Sequence, residues 1–129
     1  MKIEDKYIIT AIESLTKVKE PIVINNMYKK VFKGYISELG ASIMQAGLLP
    51  SIIFYENSQS AQQDKKKIIS AIVYILNSNF GYKISVDLSR YILSLSSAEE
   101  KIKLLKDIEK AVVAIKLALR IFKSDTEEE

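Results

Sequence analysis

Residues 35–57 read YISELGASIMQAGLLPSIIFYEN, and the punctuation in the middle of this stretch decides how the chain folds. Upstream, Val31, Phe32, Tyr35, Ile36, Leu39, Ile43 and Met44 recur at steps of one, three and four, which is one broad apolar stripe of a helix. Gly47 follows the last of them and suits the left-handed conformation that ends a helix. Pro50 then falls just inside the next helix, where its missing N–H is no loss. Ile52, Ile53 and Phe54 make that second helix short and strongly apolar, ending near Asn57. The stretch predicts a helix, a tight corner and a second helix.

Two glycines inside the first of these helices, Gly34 and Gly40, call for a reason, because each costs about 1 kcal/mol against alanine in a helix interior. Close approach of another helix is the reading we expect, with a ligand against the backbone as the sharper alternative. The helix–corner–helix outline is that of a DNA-reading helix-turn-helix. Its second helix, however, offers Ile, Phe and Tyr where base recognition needs Arg, Asn or Gln. It is expected to be buried.

Working outward, Ile3, Tyr7, Ile8, Ala11, Ile12, Leu15 and Val18 form a helical stripe that should end near Lys19, since Pro21 disfavours helical geometry just before it. Ile22-Val23-Ile24 is β-branched but has no partner strand in view, so it reads as an extended connection packed on the core. Asn25 or Asn26 is the expected cap of the following helix. Beyond the corner, Ser58 to Gln63 is polar and aperiodic, a surface loop. Asp64 to Asn79 is helical and apolar nearly all round, the helix expected to be most buried. Val86, Leu88, Tyr91, Ile92 and Leu95 mark a shorter helix after Gly81. Ser97 and Glu100 form a capping box that opens a last helix running to about Phe122.

That last helix carries two stripes. Leu105, Ile108, Val112, Ile115, Leu119 and Phe122 alternate steps of three and four, the seam that packs on a neighbour. Val113, Leu117 and Ile121 step by four along another face, to be covered either by the first helix or by another subunit. These readings add up to an all-α fold: a single-domain bundle of about six helices, two of them short, over residues 1–124, with 125–129 as a disordered acidic tail.

Composition narrows the chemistry. The 129 residues contain no cysteine and no histidine, which rules out a disulfide framework, a thiol nucleophile and the commonest zinc ligand and general base. Neither a paired carboxylate site nor a phosphate-binding glycine loop is evident, so no enzyme activity, metal or cofactor is expected. No apolar run approaches the roughly 20 residues of a membrane span, and no signal peptide is recognisable, so a cytoplasmic protein is expected. Abundant Lys and Ile with scarce Gly and Pro fit an AT-rich genome or an archaeal or thermophilic source. The net charge of +3 includes four carboxylates at Asp125 and Glu127 to Glu129, leaving +7 on residues 1–124. A basic body favours a polyanionic partner, although a merely solvated lysine surface would have the same composition. Two lysine clusters stand out, Lys29, Lys30 and Lys33, and Lys65, Lys66 and Lys67. The second sits in the first turn of its helix, where cations are unfavourable.

The corner also carries a resemblance. A long helix running into Ile43, Met44, Gln45, Gly47, Leu48, Leu49, Ile53 and Phe54, with Tyr35 upstream, resembles the signature of the small helical subunit of the type III-B CRISPR Cmr effector complex, the fifth protein of that complex. These motif residues are expected to form the core of the corner. The resemblance implies a catalytically silent subunit of an RNA-guided antiviral ribonucleoprotein. Several copies would stack as a filament beside the backbone subunits, flanking the guide and target RNA path. Its partners would be other Cmr subunits, further copies of itself and RNA, with no small-molecule substrate. In that setting Lys29, Lys30, Lys33, Lys65, Lys66 and Lys67 are the candidate RNA contacts, and Val113, Leu117 and Ile121 the candidate subunit interface. The chain departs from the family's commoner pattern at Pro50 and in having only two arginines, Arg90 and Arg120, so individual RNA contacts do not carry over. The alternatives are a stand-alone basic nucleic-acid-binding regulator and an adaptor that binds only protein.

Overall fold

The computed structural model describes residues 2–57 and 64–125; the expected loop at Ser58 to Gln63 lies outside the described residues, as does the tail from Thr126. Among the described residues are six α-helices: α1 (Asp5–Thr16), α2 (Val31–Ala46), α3 (Leu48–Glu56), α4 (Asp64–Asn79), α5 (Leu88–Ser94) and α6 (Ala98–Leu119). The expected all-α bundle is borne out, with α3 and α5 as its short members. No helix among the described residues is long and apolar enough to cross a membrane.

Helix α4 is the hub. Ile68, Ile69, Ala71, Ile72, Ile75 and Leu76 are all buried, and α4 touches α1, α2, α3 and α6. A helix contacted on most sides leaves only a narrow strip to water, here Lys66, Ser70 and Ser78, which is why most of its circumference is apolar. Helix α6 packs on α1, α2 and α4, and much of its buried surface is alanine: Ala111, Ala114 and Ala118 are fully covered. Small side chains let helix axes approach closely, a device that apolar periodicity based on large residues overlooks. Ser97 opens α6 as anticipated: the Glu100 amide donates to the Ser97 hydroxyl at 3.1 Å, and the Ser97 amide donates to the Glu100 carboxylate at 3.2 Å.

At the central corner, Gly47 joins α2 directly to α3 with φ 99° and ψ 164°. This is not the helical left-handed conformation anticipated for it but an extended one at positive φ, open essentially to glycine alone. The Ser51 hydroxyl donates to the Gly47 carbonyl at 2.8 Å and shares a 2.6 Å hydrogen bond with Ser42, locking α3 against α2. A methyl group at position 47 would meet only Pro50, at 3.7 Å, so space is not the constraint. Gly47→Ala is therefore expected to lower unfolding free energy by about 1–3 kcal/mol through backbone strain alone, read by urea denaturation.

Three expectations need correction around α2 and α6. Asn25 and Asn26 do not cap α2: both have positive φ (56° and 65°) and form the two-residue turn of a tight hairpin closed by Ile24 and Met27. Asparagine tolerates that backbone well, so the pair signals a turn. Helix α6 stops at Leu119 rather than Phe122, because the chain turns there into a short strand, β2 (Lys123–Ser124), parallel to β1 (Met27–Tyr28). Asp125, assigned above to a disordered tail, is held in place: its amide donates to the Tyr28 carbonyl at 2.8 Å, and its carboxylate accepts from the Lys30 amide at 3.0 Å. That carboxylate supplies the start of α2 with a cap from the far end of the chain.

The glycine reading also changes. Among the described residues, a methyl group built at Gly34 or Gly40 meets nothing within 4 Å, so none of the six described helices packs closely there. Within the isolated protein these glycines are simply unfavourable. Gly34→Ala and Gly40→Ala should each stabilise the isolated chain by up to about 1 kcal/mol, a rise of a few degrees in Tm. If α2 is closely approached by a partner at these positions, the same variants will assemble less well despite their higher Tm.

Candidate nucleic-acid interface

The two lysine clusters are far apart in sequence, yet Lys29 of one and Lys67 of the other meet at a single carboxylate. Asp64, the first residue of α4, accepts from Lys29 at 3.2 Å and also pairs with Lys67 at 3.5 Å. This carboxylate offsets the unfavourable placing of lysines in the first turn of α4. Lys30 and Lys66, next in the chain to Lys29 and Lys67, are exposed, as is Lys33. Lys66 and Lys67 line a cavity of about 410 Å³ with Lys19, Glu20 and Ser70, which brings a further cation, and a carboxylate, from the segment after α1 beside them. Lys19 carried no signal of its own in the sequence, because its neighbours in space lie some fifty residues on.

Lys65 is a correction. It is 8% exposed, and its ammonium lies 4.5 Å from the ring centre of Phe54, 5.1 Å from Tyr55 and 5.4 Å from Tyr35. Three negative ring faces satisfy the charge that water otherwise would. Lys65 therefore ties α4 to α2 and α3 and does not face a solvent-borne phosphate. Burial, with the charge of Glu38 adding to it, raises the Tyr55 hydroxyl above its ordinary range. In the row Lys65, Lys66, Lys67 the side chains fan out at 100° steps, and only the tertiary neighbours tell which one points inward.

The motif residues divide in the same way. Ile43 is buried, and Tyr35, Leu48 and Leu49 are half-buried against the core. Gln45 is exposed, as are Met44 (86%), Ile53 (44%) and Phe54 (58%), contrary to the expectation that the motif is core. Leu48 and Leu49 instead form one wall of an open apolar groove of about 320 Å³, with Leu93 of α5 and Ile102 of α6 exposed on the other side. On the second stripe of α6, Val113 and Leu117 are only half-buried, and Ile121, in the turn after the helix, is exposed. The structure does not bring this stripe together with the lysine face.

The buried acid Asp107 is also accounted for. Its carboxylate accepts from the Tyr82 hydroxyl at 2.7 Å and from Lys103 at 2.8 Å. Both contacts fall on Oδ2, and the one from Tyr82 braces α6 against the 80–87 connection.

The fold is thus an all-helical bundle with exposed lysines at the starts of α2 and α4 and an apolar groove between α3, α5 and α6. A family model described as CRISPR-associated protein (Cas_Cmr5) matches residues 3–114. The chain belongs to that family and is a CRISPR-associated Cmr subunit, which implies association with the Cmr complex. Neither the curated proteins nor the solved structures contain a match to it.

Proposed function

We propose that this chain is a non-catalytic, cytoplasmic small subunit of the Cmr ribonucleoprotein that stacks in several copies and lays its lysine face along the RNA path. The observation that carries this reading is the meeting of Lys29 and Lys67 at Asp64, with Lys30 and Lys66 exposed next to them in the chain. Lysines supply charge with little geometric demand, which suits a surface that must accept any target sequence. The absence of histidine and cysteine supports a role without catalysis. Native mass spectrometry of complexes captured on this chain tests the reading. The expected result is a large assembly holding RNA and more than one copy of the chain; an assembly of protein alone would overturn it.

Assembly needs apolar contact, and two surfaces offer it: the groove between Leu48 and Ile102, and the half-covered stripe of α6. Val113→Asp with Leu117→Asp is expected to leave the isolated chain folded, with helical circular dichroism retained, while excluding it from the captured complex. Unfolding of the double variant would show instead that the stripe belongs to the core.

A further inference from the structure

The chain beyond α6 does not follow the helical pattern that leads into it. The stripe Ile108, Val112, Ile115, Leu119 and Phe122 keeps its helical steps through Phe122, yet α6 ends at Leu119. The amides of Arg120, Ile121 and Phe122 donate to the carbonyls of Leu117, Ala118 and Leu119, a tightening that turns the chain aside and leaves Ile121 61% exposed. Residues 123–125 then lie along the hairpin and the start of α2 as a strap. The Lys123 amide donates to the Asn26 carbonyl at 3.2 Å and the Asp125 amide to the Tyr28 carbonyl at 2.8 Å, while the Asp125 carboxylate accepts from the Lys30 amide at 3.0 Å.

This strap is weakly seated. Tyr28 and Ser124 are partners in the β1–β2 register, 2% and 1% exposed, and neither hydroxyl has a hydrogen-bond partner among the described residues. A buried hydroxyl without a partner gives up the hydration it has in the undocked chain, so the seam opposes docking. A ladder of two residues is marginal by itself. Charge gives the strap its consequence. Asp125 sets a carboxylate at the amide end of α2, where an anion is favoured, next to the stretch that carries Lys29 and Lys30. Glu127, Glu128 and Glu129 follow it in the sequence, so release of the strap frees four carboxylates from their anchor at the start of α2.

We propose that residues 120–125 are an autoinhibitory strap. Docked, Asp125 occupies the start of α2 and screens Lys29 and Lys30; released, it yields them to the phosphate backbone of RNA. Held in the same chain, the carboxylate competes at high effective concentration, so the strap lowers RNA affinity without abolishing it. What the strap holds off rests on the RNA-facing reading above; that it opens rests on the seam alone.

The test uses the full chain, labelled with ¹⁵N, in low-salt buffer. Amide hydrogen exchange at Lys30, Lys123 and Asp125 reads strap opening, with Val112 and Ile115 inside α6 as the reference. Fluorescence anisotropy reads affinity for a labelled single-stranded RNA 12-mer. The strap amides should be protected at least about a hundredfold less than those of α6. Ser124→Ala, which removes a partnerless hydroxyl, should raise their protection by about three- to tenfold. Asp125→Ala should keep its helical circular dichroism and bind RNA about two- to fivefold more tightly than the parent. Saturating RNA should in turn lower protection at Lys123 and Asp125 in the parent, because coupling between two equilibria is reciprocal. Glu109→Ala removes an exposed carboxylate of α6 and should leave RNA affinity within the parent's error. An equal gain in Glu109→Ala, or RNA that binds the parent without moving strap protection, would overturn the inhibition and leave the RNA-facing reading standing. RNA bound by neither the parent nor Asp125→Ala would overturn both. Strap amides that exchange only together with those of α6 would overturn the strap, whatever RNA does.

Discussion

Lys65→Glu is expected to destabilise the protein by about 3–5 kcal/mol, whereas Lys66→Glu, one residue further along, should change stability by less than about 0.5 kcal/mol. The two positions carry the same residue in the same turn of α4. Lys65 is buried with its ammonium against Phe54, Tyr55 and Tyr35, and Lys66 is exposed. A glutamate at 65 would set a carboxylate against three negative ring faces, away from water and without a donor. Lys65→Met keeps the length of the side chain and removes only the charge, so it should cost no more than about 2 kcal/mol, the upper range of a desolvated cation–π contact. Urea denaturation of the three variants gives the comparison. Equal effects at 65 and 66 would mean that the cage does not hold the ammonium.

The second large effect is electrostatic and is read on the assembled complex. Each phosphate neutralised on single-stranded RNA adds about 0.7 to the slope of log affinity against log salt, so changing Lys29, Lys30, Lys66 and Lys67 to glutamine removes up to about 2.8 per copy. Between 50 and 200 mM salt, the parent complex should then lose up to about fifty-fold more RNA affinity per engaged copy than the variant. Lys29 and Lys67 share Asp64 and must leave it to meet phosphate, so their contribution falls short of that ceiling. The same ion pairs predict the opposite sign for Asp64→Asn: it frees two ammonium groups and should raise RNA affinity at low salt. Filter binding at several salt concentrations checks both. An unchanged slope in the quadruple variant, with the complex intact, would leave these lysines as a solvated surface.

Much of the fold was legible because helical period and punctuation are local. The stripes at Ile3 to Val18 and Val31 to Met44, the break at Gly47-Leu48-Leu49-Pro50 and the Ser97–Glu100 box each announce themselves within one or two turns. The capping box and the joining of α2 to α3 at Gly47 follow from residues no more than four apart. The lysine clusters were visible for the same reason, as were the missing histidine and cysteine.

The chain by itself thus determined an all-helical bundle, a basic body and the family motif at the corner. Only the tertiary structure decided which of those residues face inward. A helix turns 100° per residue, so neighbouring lysines or neighbouring apolar residues point to different sides, and their burial depends on what packs there. That is why Lys65 entered an aromatic cage while Lys66 stayed in water, and why Met44 and Phe54 are exposed although the motif reads as core. It is also why Asp125 caps a helix ninety-five residues before it. Contacts between distant segments are set by the packing of whole helix faces, and no local pattern encodes them.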